Sequence, residues 1–424
     1  MAKNYLQGVV QATKCTYEGM AAVVEGVNAQ QFQHFGSESP WRDEPIIEKI
    51  STDANIILGN SPDSCLIIDE TSFDKHGDCS VGVARQWCGR LGKVENCQVA
   101  VFAVLSNGQH HAMIDRRLYL PKEWIDNPKR CEEAGIPLSA KELVSKSSLA
   151  FELIWMACAR GVNFHWIGVD GGYGKEPKFL RELDDCDIKF VADIHRTQRI
   201  WLNDPSLHVP VVLRGRSKKP SKLRATTEPV TVEEFSRKLH NTDWTRCVLR
   251  DSTRGPLNVD IVSRQVWVWD GEERISRRWH LVIRREVKSP EKIKFSFSNA
   301  PENTDILRLG QMQGHRYWIE RTFEDAKGAC GLSDYQALGW RAWHHHVTMV
   351  MMAMLFIAKQ RIANHKEIDL LSPRDIVEIL AQSLPHRLIN KNDLIDDITR
   401  RHHRRQSAID SRFKSKSSQT PSSG

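Results

Sequence analysis

The ten cysteines of this chain include no C-x-x-C pair, which excludes the common zinc ribbon and the dithiol redox site. No apolar run is long enough to cross a bilayer. The stretch from Val347 to Ala358 is twelve residues and suits a buried helix. No signal peptide is evident, so free thiols set in apolar runs and a reducing, cytoplasmic setting are expected. The glycine-rich loop Gly168 to Lys175 misses the phosphate-loop spacing by one residue and puts Glu176 where Ser or Thr belongs, which sets a nucleotide site aside. Its glycines are expected to leave room around Asp170. Neither sign of charge dominates: 60 Lys and Arg stand against 53 Asp and Glu, for a net charge of +7. That balance permits a polyanionic partner, and the placement of the bases decides.

What is present suits a soluble globular chain. The 424 residues are 40% hydrophobic and 27% charged, enough for a sizeable core and more than one domain. Residues 1–60 read as helical: Tyr5, Val9 and Val10 share a face, Asn28 is placed to cap a helix, and Pro45 to Leu58 is another. This region either packs or holds DNA. Residues 61–194 change to strands at Cys65 to Asp69, Gln98 to Leu105 and Ala112 to Leu120. A helix is predicted over 139–160, opened by a Ser139/Glu142 capping box, and strands at Phe164 to Asp170 and Phe190 to Ile194 flank a helix at 177–183. This order suits an α/β fold, an RNase H-like mixed sheet flanked by helices. Residues 195–310 are β-rich and read as an insertion that splits this core. Residues 311–365 return to helix, with one from Arg316 to Lys327 and one from Trp340 to Ala363. Residues 366–424 form a C-terminal helical region and a basic, Ser-rich tail after Thr399.

Three acids stand out. Asp69 and Asp170 end apolar strands, where a buried charge makes little sense without a partner. Glu320 sits on a predicted helix, with Arg316 four residues before it and Lys327 seven after, all on one face. Singly, such residues are more often caps or surface ion pairs. Together, three carboxylates can hold two Mg²⁺ ions, with Mn²⁺ as a substitute, and two such ions can cut and rejoin a phosphodiester. Asp69 is expected to bridge both ions, with Asp170 and Glu320 on one each. Glu324, one turn on, is the rival third ligand and lacks the seven-residue step to Lys327. Glu70 is expected to point to the other sheet face. A loop holding Arg214, Arg216, Lys218, Lys219 and Lys222 with no acid between them is either solvated or set against phosphates, and the second is expected beside such a site. His344, His345 and His346 point in different directions on a helix and cannot bind one metal; a structural or DNA-contact role is expected.

Three stretches resemble the DDE-type transposases of bacterial insertion sequences, in the branch with a Tyr–Arg–Glu–Lys signature on the last core helix. They are Ile67 to Phe73 continuing through Gly89 to Val99, Leu118 to Pro121 with Trp124, Arg130 and Ala134 to Pro137, and the Glu320 helix with Gly331-Leu332, Tyr335 and Trp343 to His346. The resemblance implies a DNA transposase with cut-and-paste chemistry, a metal triad of Asp69, Asp170 and Glu320, and bases Arg316 and Lys327 near the cut strand. It also implies Tyr317 as an aromatic stacking on a displaced base, with Trp318 either its partner or core. It implies DNA partners (terminal inverted repeats and target), a homodimer on paired ends, no membrane, and action at the bacterial nucleoid. The position of the signature tyrosine, three before Arg316, holds Gln313. Relatives extend further at the N-terminus, so terminal-repeat recognition is expected to be incomplete. An inactive DNA-binding derivative and a metal-dependent endonuclease without strand transfer are the alternatives.

Overall fold

The computed structural model describes residues 1–210, 221–250, 255–365, 367–368, 371–388 and 391–417. Four helices open the chain: α1 (Ala2–Gln11), α2 (Tyr17–Val23), α3 (Ala29–Gln33) and α4 (Glu44–Leu58). Strands β1 (Cys65–Asp74), β2 (Ala84–Cys88), β3 (Lys93–Ser106) and β4 (His111–Leu118) follow. Then come α5 (Lys122–Ile125), α6 (Pro128–Glu133), α7 (Lys146–Ala159), β5 (Trp166–Val169), α8 (Gly171–Gly174), α9 (Pro177–Asp185) and β6 (Phe190–Ile194). The β-rich stretch holds β7 (Arg199–Ile200), β8 (Val230–Thr231), α10 (Val232–Arg237), β9 (Thr245–Val248), β10 (Asn258–Val268), β11 (Arg277–Glu286) and β12 (Ser289–Ser298). Helices α11 (Ile306–His315), α12 (Tyr317–Ala329), α13 (Trp340–Asn364), α14 (Pro373–Ser383) and α15 (Lys391–Ser417) complete it.

Ten strands form one mixed sheet in the order β2-β3-β1-β5-β6-β12-β11-β10-β9, with β4 also on β3. β1, β3 and β4 pair antiparallel, while β5 and β6 run parallel to β1. The row β4-β3-β1-β5-β6 is thus an RNase H-like mixed sheet. β5 is buried throughout, as suits a central parallel strand covered on both faces. The strands of the 195–310 stretch extend this same sheet, because β12 pairs antiparallel with β6. Helices α4 and α7 cover β3 and β4; α11 and α12 pack against β1, β5 and β6.

Two helix limits differ from expectation. The helix predicted from Ser139 begins at Lys146, with Ser145 as its cap accepting from the Ser148 N–H at 3.0 Å. Leu138 and Leu143 are exposed and only Ala140 and Val144 of the stretch are partly buried on the core, too little apolar surface to hold a helix there. The tail after Thr399 continues α15 to Ser417. Among the described residues no helix is long and apolar enough to cross a membrane. All ten cysteines are free, and Cys15, Cys65, Cys88, Cys97, Cys131 and Cys330 are buried.

The N-terminal helices pack. One hydrophobic cluster runs from Tyr5 to Ile376. Two of the three adjacent histidines, His345 and His346, join the N-terminal region to α13. His345 lies flat on Trp41 with ring centroids 3.6 Å apart, its two ring nitrogens 3.0 and 2.9 Å from the carbonyl oxygens of Gly36 and Trp41. His346 meets the Tyr5 hydroxyl at 2.9 Å and the Gly331 carbonyl at 3.1 Å. His344 meets the Trp340 carbonyl at 2.9 Å. Their role is structural. The neutral ring has one N–H to donate, so His345→Ala leaves one carbonyl without its donor and unstacks Trp41, and is expected to cost about 1–3 kcal/mol in urea unfolding. A loss below about 1 kcal/mol would mean that water replaces these contacts freely.

Candidate metal centre and nucleic-acid interface

The sheet register builds the site. Ile68 of β1 stands opposite Val169 of β5, and Val169 opposite Ala192 of β6. The next residue in each case is an acid. Asp69, Asp170 and Asp193 therefore form one row across three adjacent parallel strands, about 4.8 Å from strand to strand. Ser296 of β12 continues the row, paired with Asp193. Beneath it Ile68, Val169 and Ala192 are fully buried, while the acids themselves are partly exposed.

Arg316 sits at the joint of α11 and α12, above this row. Its guanidinium makes a three-way fork: Nε donates to Asp193 Oδ2 at 2.9 Å, Nη2 donates to Glu320 Oε1 at 2.7 Å, and Nη1 lies 3.6 Å from Asp69 Oδ2. Asp193 is also held from behind, because its Oδ1 accepts from Ser296 Oγ at 2.6 Å and Gln313 Nε2 donates to that same Oγ at 2.7 Å. Asp170 caps α8, its Oδ1 accepting from the N–H groups of Gly172 (2.8 Å) and Tyr173 (3.3 Å). Asp69 Oδ1 accepts from the Glu70 N–H at 2.7 Å.

The electrostatics are those of a site short of positive charge. Burial, reinforced by the Asp170 carboxylate, pushes the Asp69 carboxyl far above the ordinary range; Arg316 only partly offsets this. Burial works against the Arg316 cation, but Asp193, Asp69, Glu320 and Asp170 outweigh it and hold its proton more firmly than usual. The Tyr173 hydroxyl is buried and has no hydrogen-bond partner among the described residues, and burial with Glu70, Asp69 and Asp170 nearby opposes its ionisation. A cluster of four acids around one guanidinium fits divalent cations with oxygen ligands. Among the described residues no group of three or more His, Cys, Asp or Glu side chains is gathered on one metal position; the acids converge on Arg316.

Comparison with known proteins agrees with this chemistry. Residues 1–256, more than half of the chain, match the family described as DDE superfamily endonuclease. The chain belongs to that family. The matched residues include Asp69 and Asp170 and stop short of Glu320. A probable transposase for insertion sequence element IS701 from Microchaete diplosiphon is 23% identical over 327 residues, covering 76% of this chain and 72% of that protein. The NurA nuclease from Sulfolobus solfataricus aligns over 77% of this chain and 95% of its own at 11% identity, and its TM-score of 0.25 is too low to bear on the fold.

In this DDE endonuclease the other expected residues are placed as follows. Lys327 lies two turns along α12 from Glu320, but its ammonium turns back onto β1, donating to Thr71 Oγ1 at 2.7 Å and the Ser72 carbonyl at 3.1 Å. Burial pushes it down to about 8. Tyr317 is half-exposed and carries the Arg250 guanidinium 3.7 Å over its ring. Trp318 stacks on His111 with centroids 5.5 Å apart and lines a cleft of about 350 Å³ shared with Asn107, Arg250 and His315. Glu324 is exposed and pairs with Arg321 at 3.4 Å. Glu70 reaches the opposite face, accepting from Lys146 of α7 at 2.7 Å. Lys222 is exposed. Arg214, Arg216, Lys218 and Lys219 lie outside the described residues.

Three residues at the site escaped the reading of the sequence. Asp193 interrupts Phe190-Val191-Ala192 as Asp69 interrupts its own strand, so the same signal was available. Arg250 and Tyr173 carried none. One glycine after Asp170 has a packing role. A Cβ on Gly174 would lie 1.8 Å from the Asp193 carbonyl oxygen, so glycine is what lets α8 rest directly on β6.

Proposed function

We propose that the chain is a DNA transposase that cleaves the ends of an insertion element and joins the freed 3′-hydroxyl to target DNA. The observation that carries this is the row of Asp69 and Asp170 on adjacent strands, tied to Glu320 through one guanidinium. In this reading Asp69, Asp170 and Glu320 would hold two Mg²⁺ ions, with Mn²⁺ as a substitute. Held there, divalent metal would supply activation of the attacking oxygen and stabilisation of the leaving one. The chain supplies the rest. The strand row fixes the carboxylates, and Arg316 and Lys327 stand beside the phosphates of the cut strand. Tyr317 offers a ring face for an unstacked base once Arg250 moves off it. The loop with Arg214, Arg216, Lys218, Lys219 and Lys222 contacts backbone phosphates.

Family membership and the IS701 relative support DNA as the substrate, and cutting two ends together calls for a homodimer on paired ends at the nucleoid. The division into a helical region 1–60, a core 61–194 and 311–365, an insertion 195–310 and a C-terminal region 366–424 belongs to the same reading. The test is incubation with Mg²⁺, a supercoiled donor plasmid carrying the element and a target plasmid. Joined donor–target products are expected. Cleavage without joints would reduce the activity to that of an endonuclease, and gel retardation without cleavage would leave a DNA-binding protein.

A further inference from the structure

Asp193 has no part in the triad, yet it is the most completely held acid of the row. Both of its oxygens are engaged: Oδ1 by Ser296, itself fixed by the buried Gln313, and Oδ2 by Arg316 Nε. Such a carboxylate is braced to face one partner. That partner spends its two remaining nitrogens on Glu320 and Asp69, two of the residues assigned to metal above. Arg316 is only 17% exposed and Asp69 14%, so that contact is shielded from screening by solvent, while the contact with the half-exposed Glu320 is partly solvated.

We infer that Asp193 is a positioning residue whose task is to hold the Arg316 guanidinium among the carboxylates as a resident cation, which divalent metal must displace from Asp69 and Glu320 while Nε stays on Asp193. This rests on the assignment of Asp69 and Glu320 as metal ligands. The guanidinium does two things in this arrangement. It neutralises a row of acids that would otherwise repel one another in the folded, metal-free protein. It also makes the protein's affinity for free metal low until a phosphate arrives to draw the two Nη groups away, since Arg forks match phosphate as well as carboxylate. Bracing by Ser296 and Gln313 keeps the released guanidinium within reach of the cut strand.

The test is Mn²⁺ binding to the full, DNA-free chain, followed by calorimetry and by the loss of the free-ion EPR signal. Arg316→Gln is expected to bind Mn²⁺ about tenfold more tightly than the parent, the effect of removing one competing contact. Asp193→Asn is expected to bind several-fold more tightly, because a guanidinium freed from its anchor is displaced more readily from Asp69 and Glu320. The decisive measurement is the pair in combination. If Asp193 acts through Arg316, adding Asp193→Asn to Arg316→Gln changes binding by less than about twofold, the usual scatter for uncoupled sites. If Asp193 binds metal itself or acts only by its charge, Asp193→Asn weakens binding both alone and in combination, and the inference falls. Should Arg316→Gln not fold, as judged by thermal melting, Arg316→Lys keeps a charge without the fork, and tightening of at least about threefold is then required. Asp69→Asn separates the two levels. Unchanged Mn²⁺ binding there removes the metal assignment itself and this inference with it. Weakened binding there, with no tightening in Arg316→Gln, overturns only the role given to Asp193 and Arg316.

Discussion

Asp69→Ala, Asp170→Ala and Glu320→Ala are each expected to lower DNA strand cleavage by about a thousandfold or more, as loss of a group stabilising transition-state charge does, while gel-shift affinity for DNA stays within a few-fold. The three should differ in what they do to the fold. Asp69 is the most deeply set, and its carboxyl is held protonated well above the ordinary range by burial and by Asp170. An acid whose folded-state proton affinity exceeds its unfolded one adds stability at low pH and loses it as pH rises through the folded value. Metal-free parent protein should therefore lose stability as pH rises above the ordinary carboxylate range, and Asp69→Ala should show a shallower loss. Glu320 is about half exposed and its ion pair with Arg316 is partly solvated, so Glu320→Ala should leave the melting temperature nearly unchanged. Asp170 caps α8, and its replacement removes the acceptor for two N–H groups, a loss of about 1 kcal/mol. Cleavage retained in any one variant would take that residue out of the centre. Lost DNA binding in all three would point to misfolding.

The acids could be read from the sequence because two of them interrupt runs of buried apolar residues, and a charge in such a place requires a partner. What could not be read is lateral register. Nothing in Phe190 to Ile194 says that Ala192 stands opposite Val169, and only that pairing brings Asp193 into line with Asp69 and Asp170. The same limit explains Lys327. The seven-residue step does put it on the Glu320 face of α12, but periodicity cannot say that β1 lies beneath that face with Thr71 and the Ser72 carbonyl ready to take the ammonium. The RNase H-like order of strands followed from the alternation of apolar strands and amphipathic helices. The continuation of the sheet through β12 did not, because an antiparallel, β-rich stretch reads alike whether it folds apart or adds to an existing edge. The false start of α7 at Ser139 has a similar origin. A Ser and a Glu three apart satisfy the capping rule locally, and only the exposure of Leu138 and Leu143 shows how little apolar surface the stretch buries.

Gly174→Ala is expected to be among the most damaging single substitutions outside the carboxylates. The added methyl carbon would stand 1.8 Å from the Asp193 carbonyl oxygen and 3.0 Å from its carbon. The obstacle is backbone in a paired central strand, so no side chain can turn aside to admit it. Either α8 lifts from β6 or β6 is pushed toward β12, and overpacking of this kind costs about 1–3 kcal/mol or more. The geometric consequence is larger than the energetic one. α8 is the helix that Asp170 caps, and Asp193 is the anchor of Arg316, so a single displacement shifts an acid on each side of the joint. Misplacement by about 1 Å at a catalytic centre can cost about a hundredfold in rate. Cleavage should fall at least that far, with far-UV circular dichroism retained and the melting temperature lowered. Gly172→Ala is the comparison. Its added carbon would come nearest to the Asp170 carboxylate, 2.9 Å away, which is a side chain able to rotate. It should fold nearly as the parent does and weaken cleavage through Asp170 alone. Equal stability of the two variants would mean that α8 is free to move off the sheet, and that the close packing of Gly174 on Asp193 does not fix the spacing of the acids.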